Sequence, residues 1–253
     1  MTDSLVIIPT YNESENIERM IHTIFILPHS FHLLIIDDNS PDGTAGIVKN
    51  AQKEYPDRLF IIEREGKLGL GTAYITGFKW ALEHNYHYIF EMDSDFSHNP
   101  NDLIALHKAC SKMGADMSIG SRYVSGVNVV NWPIGRVLMS YFASMYVRII
   151  TGMDIKDATA GFKCYTRKVL KTIDLDKIKF KGYAFQIEMK FIAWKLGFHI
   201  IEIPIIFTDR QEGSSKMSGG IFGEALWGVL KMKIRSLFKP YKAKTSHETN
   251  HHR

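Results

Sequence analysis

Four short apolar runs constrain the fold most: Ser4-Leu5-Val6-Ile7-Ile8-Pro9, His32-Leu33-Leu34-Ile35-Ile36-Asp37-Asp38, Leu59-Phe60-Ile61-Ile62 and Tyr88-Ile89-Phe90-Glu91-Met92-Asp93. Each is continuous rather than alternating, the pattern of a strand covered on both faces. Stretches of helical length lie between them. One runs through about residue 25, with Asn12 or Ser14 placed to cap it. Others run from the Gly43 turn to about residue 54, and from about 71 to 84. Strands alternating with helices predict an α/β domain with a mostly parallel, doubly wound central sheet and helices on both faces. Met117-Ser118-Ile119-Gly120-Ser121-Arg122-Tyr123 reads as a fifth strand ending in an Arg. Ile200 to Phe207 reads as a late strand, in which Pro204 points to an edge or a bulge.

Open α/β sheets bind ligands at the carboxyl ends of their strands, and here those ends are acidic. The fourth run ends in Asp93-Ser94-Asp95-Phe96-Ser97-His98-Asn99-Pro100. Two carboxylates one residue apart, with no thiolate nearby, suit Mg²⁺ or Mn²⁺, which keep positions for water and phosphate oxygens. The same residues also fit an Asx turn, with Asp95 or Ser97 capping a helix. The first two runs end in Thr10-Tyr11-Asn12-Glu13 and in Asp37-Asp38 followed by dense turn chemistry, and Asp37 or Asp38 is placed to meet base or ribose hydroxyls. Gly66-Lys67-Leu68-Gly69-Leu70-Gly71 fits neither phosphate-loop fingerprint. It reads as a flexible loop before a helix.

Residues 132–151 read as one long apolar helix with Pro133 in its first turn. Arg136, Ser140, Ser144 and Arg148 step by four, so they share one face. That stripe is either solvated or built to hold a phosphate whose attached chain is apolar. Lys156 to Lys163 is a small-residue loop with one carboxylate, Asp157. A helix opens near Gly182 and carries Glu188, and the stretch from Asp209 to Lys216 is a Gly- and Ser-rich loop with two cations, Arg210 and Lys216. Residues 219–238 read as an amphipathic helix, with Glu224, Lys231 and Arg235 on one stripe and Leu226, Leu230, Ile234 and Leu237 opposite. Residues 239–253 read as a basic, disordered tail.

With 253 residues and 45% hydrophobic content the chain is large enough for one domain with a real core, spanning 1–238. A net charge of +4, concentrated between Lys231 and Lys244, argues against nucleic-acid binding and for a local basic patch. Cys110 and Cys164 form no metal or disulfide pattern and suit a reducing cytoplasm. The N-terminus leads almost directly into a strand, so no signal peptide is expected. Charges interrupt both long apolar stretches. Membrane contact is therefore expected to be peripheral.

Seven segments in order carry a family resemblance: Val6 to Glu13, Asp37 to Thr44, Lys67 to Tyr74, Asp93 to Pro100, Gly120 to Tyr123, Lys181 to Glu188, and Asp209-Arg210 through Lys216. The chain resembles the family 2 glycosyltransferases with the glycosyltransferase A fold, and within them the dolichol-phosphate and polyprenol-phosphate mannose synthases. The resemblance implies that Pro9, Tyr11, Glu13, Ile36 and Asp38 hold a nucleoside. It implies a divalent metal at Asp93, Asp95 and Ser97, with a water between at Ser97, where members often carry Gln. Ser94 and Lys216 would join the donor site. Arg122, Arg210 and Lys216 would contact phosphates, and Arg136 and Ser140 would receive a lipid phosphate together with Arg122. Asp95, Arg122 and Arg210 would carry the catalysis, with Asp157 and Glu188 as candidates for orienting the sugar or the arginines.

The implied reaction is inverting transfer of a sugar, foremost mannose from GDP-mannose, to a polyprenyl or dolichyl monophosphate. The neighbouring readings are UDP-glucose with the same acceptor, and a saccharide acceptor. A nucleotidyltransferase would show a glycine-rich loop after its first strand, which Thr10-Tyr11-Asn12-Glu13 lacks. A non-catalytic membrane-surface scaffold would have no use for Asp93, Asp95, Arg210 and Lys216 together. The expected setting is the cytoplasmic face of a membrane, held peripherally by the last helix, a membrane-protein partner or the lipid itself.

Overall fold

The computed structural model describes residues 2–182, 184–209, 220–238 and 241–244, with side chains of the last helix from Trp227 onward. In chain order the elements are β1 (Ser4–Thr10), α1 (Ile17–Phe25), β2 (His32–Asp37), α2 (Thr44–Ala51), β3 (Leu59–Glu63), α3 (Leu70–Glu83) and β4 (Tyr88–Glu91). There follow α4 (Asp102–Lys112), β5 (Met117–Ser121), β6 (Val129–Val130), α5 (Ile134–Thr151), β7 (Lys163–Thr166) and α6 (Arg167–Thr172). The chain continues with α7 (Ala184–Lys195), β8 (Ile200–Pro204), β9 (Phe207–Thr208) and α8 (Gly220–Phe238). Among the described residues the main sheet has seven strands in the order β3-β2-β1-β4-β7-β5-β8. All pair in parallel except β7, which runs antiparallel to both β4 and β5.

The continuous apolar runs are explained by a core on each face of this sheet. Side chains alternate along a strand, so Leu5 and Ile7 of β1 enter one core while Val6 and Ile8 enter the other. Close packing selects small residues on the facing helix: a Cβ on Gly77 of α3 would stand 2.7 Å from Ile7 Cγ2. Pro204 ends β8, the edge strand, where a missing N–H costs no ladder bond.

Several local expectations need correction. Neither Asn12 nor Ser14 caps α1; their backbone N–H groups donate instead to Ser40 Oγ and Asp42 Oδ2, tying the β1–α1 and β2–α2 loops together. Neither Asp95 nor Ser97 caps α4, which starts at Asp102. The Gly69–Gly71 stretch is packed rather than flexible: Gly71 N–H donates to Lys181 O at 2.7 Å, and a Cβ there would lie 2.8 Å from Phe180 O and from Phe185 Cγ. Strand β7 has no counterpart in the sequence pattern.

Helix α8 also turns differently from its sequence pattern. Val229, Met232 and Ser236 are buried, whereas Ile234, Leu237 and Phe238 are exposed. Gly228 sets this rotation, because only its bare backbone admits the Phe180 ring, whose Cε1 would lie 2.7 Å from an added Cβ. The start of the tail is ordered on the domain. Tyr241 packs edge-on against Phe191 with ring centroids 5.9 Å apart, and Lys244 N–H donates to Thr172 O at 2.8 Å. Residues 245–253 lie outside the described residues.

Candidate active site at the carboxyl rim of the sheet

The ends of β1, β2 and β3 form one wall of the rim. Register places Pro9 beside Ile36 and Thr10 beside Asp37. The two acids after β2 then divide their work. Asp37 is fully buried and accepts from Thr10 Oγ1, Ser40 N and Ser40 Oγ at 2.8, 2.9 and 2.6 Å, so it is scaffolding. Asp38 meets Arg64 Nε at 2.6 Å, and burial raises its carboxyl above the ordinary value against the pull of Arg64. Arg64 also donates to Thr72 Oγ1 at 2.7 Å. Lys67 lies over the Tyr11 ring, 4.9 Å from its centroid. The sequence reading missed Arg64, whose only signal was a charge ending an apolar strand within a polar run.

The turn after β4 carries the paired carboxylates. Asp95 Oδ1 accepts both the N–H and the O–H of Ser97, at 3.1 and 2.6 Å. The Ser97 hydroxyl therefore serves Asp95, and Thr208 of β9 donates to the Ser97 carbonyl at 3.1 Å. Phe96 between them has φ of 58°, a region that bulky residues rarely adopt and that concentrates at functional sites. Arg19 of α1 stacks over its ring at 4.2 Å. His98 is buried between Phe162 and Phe207, with ring centroids 4.9 and 5.2 Å away. Burial pushes its pKa down to about 4 against the opposing charge of Asp95, so the ring is neutral at neutral pH. Its Nδ1 has no hydrogen bond and stands 3.8 Å from Asp93 Oδ2.

These residues fit a divalent cation. Asp93 and Asp95 provide hard oxygen donors at the rim. Ser97 orients one carboxylate, and the orphaned His98 nitrogen lies just beyond contact with the other. Supporting partners of this kind commonly fix ligating carboxylates.

The opposite wall is cationic. Arg122, just after β5, forms a bidentate pair with Asp157, Nε to Oδ2 at 2.7 Å and Nη2 to Oδ1 at 2.6 Å. Its backbone N–H reaches the same carboxylate at 3.0 Å, and Nη2 also reaches Thr159 Oγ1 at 2.8 Å. Burial alone would raise the Asp157 carboxyl. The Arg122 charge and hydrogen bonds override it and hold the group below its ordinary value. Arg122 lies beside the rings of Tyr123, Trp132 and Phe207. Arg136 stacks over Trp132 at 4.2 Å and pairs with Asp209 at 2.8 Å. Ser140 acts on the Tyr123 phenol, whose oxygen is buried without a well-formed hydrogen bond.

Helix α5 turns a broad apolar face to solvent. Three of its four stepped polar residues face the protein: Ser144 is buried and lies 3.4 Å from Thr159 Oγ1, and Arg136 and Ser140 are half-buried; the fourth, Arg148, pairs at 3.3 Å with the exposed Asp154. Much of its apolar surface faces outward, with Ile134 and Ile149 73% and 72% exposed and Leu138, Met139, Tyr141, Phe142 and Met145 also exposed, while Val147 enters the core with Tyr146 and Ile150 packed against it.

The rim thus gathers Pro9, Tyr11, Asp38, Asp93, Asp95 and Ser97 on one side and Arg122, Arg136 and Ser140 on the other, bridged by His98. Glu13 and Ser94 sit on the same loops, Glu13 N–H donating to Thr44 Oγ1 at 3.0 Å and Ser94 buried. Ile36 is wholly buried in the core behind them. Arg210 and Lys216 lie outside the described residues. Glu188 does not join the rim: its carboxylate accepts the backbone N–H groups of Lys179 and Phe180 at 2.9 and 3.0 Å. Asp157 alone of that pair orients an arginine.

Comparisons with known proteins show the family and the fold. The family model described as Glycosyl transferase family 2 matches residues 5–174. The polyprenol monophosphomannose synthase of Mycolicibacterium smegmatis is 44% identical over 232 residues, covering 92% of this chain and 87% of the relative. The undecaprenyl-phosphate mannosyltransferase of Micrococcus luteus is 42% identical over 240 residues, covering 95% and 98%. Among solved structures, glucosyl-3-phosphoglycerate synthase from Mycobacterium tuberculosis, in complex with Mn²⁺, uridine diphosphate and glucosyl-3-phosphoglycerate, superposes with a TM-score of 0.64. It is 18% identical, over 92% of this chain and 78% of that one. A mannosyltransferase from Pyrobaculum calidifontis, in complex with GDP-Man and Mn²⁺, gives a TM-score of 0.57 at 16% identity, over 96% and 66%. The sheet, its rim and these matches lead to one conclusion: the chain belongs to glycosyltransferase family 2, is a glycosyltransferase, and has the glycosyltransferase A fold.

Proposed function

We propose that this glycosyltransferase transfers mannose from GDP-mannose to a polyprenyl monophosphate, with inversion at the anomeric carbon. The observation that carries this reading is the outward apolar face of helix α5 beside its inward-facing Arg136 and Ser140. The helix keeps Arg136 and Ser140 half-buried, with Arg136 over the same Trp132 ring that Arg122 lies beside, and turns Ile134, Leu138, Phe142 and Ile149 outward. A saccharide acceptor needs no such helix. A phosphate on a greasy chain needs cations on one side and apolar surface on the other. The names of the two relatives above 40% identity support the same acceptor and sugar.

In this reading Pro9, Tyr11, Glu13 and Asp38 receive the nucleoside, with Arg64 holding Asp38 in place and Ile36 packing in the core behind them. Asp93 and Asp95 would hold Mg²⁺ or Mn²⁺, with Ser97 orienting Asp95 and Ser94 lining the donor diphosphate. When bound, such an ion supplies charge neutralisation for the departing nucleoside diphosphate. Arg122, Arg136 and Ser140 bind the acceptor phosphate, and Arg210 and Lys216 complete the phosphate contacts. A phosphate monoester has its second pKa near about 6, so it reaches the site already ionised and needs little general-base help. The chain's task is to let two anions approach one carbon, which is electrostatic preorganisation by fixed cations.

No helix of the described residues is long and apolar enough to cross a membrane. The exposed side of α5, with Trp227, Leu237 and Phe238 of α8, would instead lie in a membrane interface beside basic residues. The test is a panel of labelled nucleotide sugars with a polyprenyl phosphate, read as label entering the organic phase. Label from GDP-mannose alone, abolished in Asp95→Asn at unchanged circular dichroism, is the expected result. Transfer only to saccharides, or near-native activity of Asp95→Asn, would overturn the acceptor or the metal assignment respectively.

A further inference from the structure

Lys190 lies in the middle of α7, wholly buried. Its Nζ donates to three backbone carbonyls of one turn: Ala160 O at 2.7 Å, Ala158 O at 2.8 Å and Asp157 O at 3.3 Å. An ammonium has three N–H bonds, and each finds one acceptor. Burying a cation on carbonyl oxygens is costly, and a Met or Leu would fill the same volume in the core without that cost.

Glu202 of β8 holds the same turn from its other end. Its Oε2 accepts Lys156 N–H at 2.7 Å. Its Oε1 accepts Asp157 N–H at 2.8 Å and the Ser121 hydroxyl at 2.7 Å. The backbone of Asp157 is thus fixed at its N–H by Glu202 and at its carbonyl by Lys190. Its carboxylate is left to grip Arg122, side chain and backbone N–H alike, with a longer bond from Thr159 Oγ1 at 3.3 Å. The clamp gathers three backbone carbonyl oxygens on one side-chain nitrogen.

We propose that Lys190 and Glu202 are positioning residues: they clamp the 157–160 turn so that Asp157 aims Arg122 at the acceptor phosphate. The clamp rests on the reading of Arg122 as an acceptor-phosphate ligand. It adds that the aim is set by two groups that touch no substrate, one on a helix and one on the edge strand. Lys190 carries no sequence signal for this role, since it reads as one more cation on a helix.

The test uses Lys190→Met and Glu202→Gln in the full chain, with two readouts. The first is the KM for polyprenyl phosphate against the KM for the nucleotide sugar. The second is the arginine Nε–H resonance of Arg122 in a ¹⁵N-edited spectrum, identified by its loss in Arg122→Lys. Either variant should raise the lipid-phosphate KM by about tenfold or more, with donor KM changed by less than about twofold, and should shift or broaden the Arg122 signal. Wild-type KM and an unshifted resonance in a folded variant would overturn the clamp. If Lys190→Met does not fold, Glu202→Gln decides by the same two readouts. If Arg122→Lys leaves the lipid-phosphate KM unchanged while the clamp variants still move the resonance, the acceptor role of Arg122 falls and the clamp stands.

Discussion

Replacing Asp157 by Ala tests how much of this fold depends on the pair that builds its active site. The carboxylate is wholly buried and Arg122 is 9% exposed, so solvent screens neither. The substitution removes the partner of three Arg122 donors, at 2.6, 2.7 and 3.0 Å, and leaves a buried guanidinium. Breaking a buried pair from one side typically costs about 3–5 kcal/mol, a large share of the roughly 5–15 kcal/mol that holds a domain together. With a urea slope near the upper end of about 1–3 kcal/mol/M, the unfolding midpoint should fall by about 1 to 1.7 M. Arg122→Met with Asp157→Leu removes the stranded charge as well, so the double variant should recover part of the loss.

The pH dependence follows from the depressed Asp157 carboxyl. A folded-state pKa below the unfolded value stabilises fully above the ordinary value of 3.8 and is lost as pH falls through the folded value. The gap between wild type and Asp157→Ala should therefore stay constant at neutral pH and narrow only in acid. A midpoint shift under about 0.3 M, or single and double variants that lose equally, would refute the buried-pair reasoning.

Three further outcomes are expected. Arg136→Ala, which removes the Trp132 stack and the Asp209 pair, should raise the KM for lipid phosphate more than that for the nucleotide sugar; equal effects would remove Arg136 from the acceptor site. Arg64→Ala strands Asp38 and should weaken GDP binding about tenfold, or ~1.4 kcal/mol, by isothermal titration calorimetry. Ile149→Glu with Trp227→Glu, both at sites more than 70% exposed, should abolish co-sedimentation with anionic vesicles while leaving thermal stability unchanged.

The strands were legible because burial on both faces writes itself as an unbroken apolar run, and β1, β2 and β4 fall within a residue or two of where those runs lie. The carboxylate turn after β4 was legible for the same reason: the strand marks the rim and the acids mark its chemistry. The four-residue stepping of Arg136 and Ser140 was visible too, but not its direction. A polar stripe on an apolar helix reads equally well as a solvated face, and only the contact of Ser144 with Thr159 shows that it points inward. Strand β7 escaped notice because its first residue is Lys163, an ammonium that a strand core rejects unless paired. The structure pairs it with Glu91 at 3.0 Å, both wholly buried, and with the Gln186 side chain.

Sequence by itself determined the class of fold, the edge of the sheet where chemistry gathers, and the carboxylates and arginines available there, because each of these depends on periodicity and residue type. Tertiary structure decided which groups became scaffolding and which stayed at the rim. Asp37 is spent on loop hydrogen bonds while Asp38 pairs with Arg64, Glu188 caps a loop while Asp157 grips Arg122, and α8 turns on Gly228 against Phe180. For Asp38, Asp157 and Gly228 the deciding quantity is a distance between residues 26 or more positions apart in the chain, which no local pattern encodes.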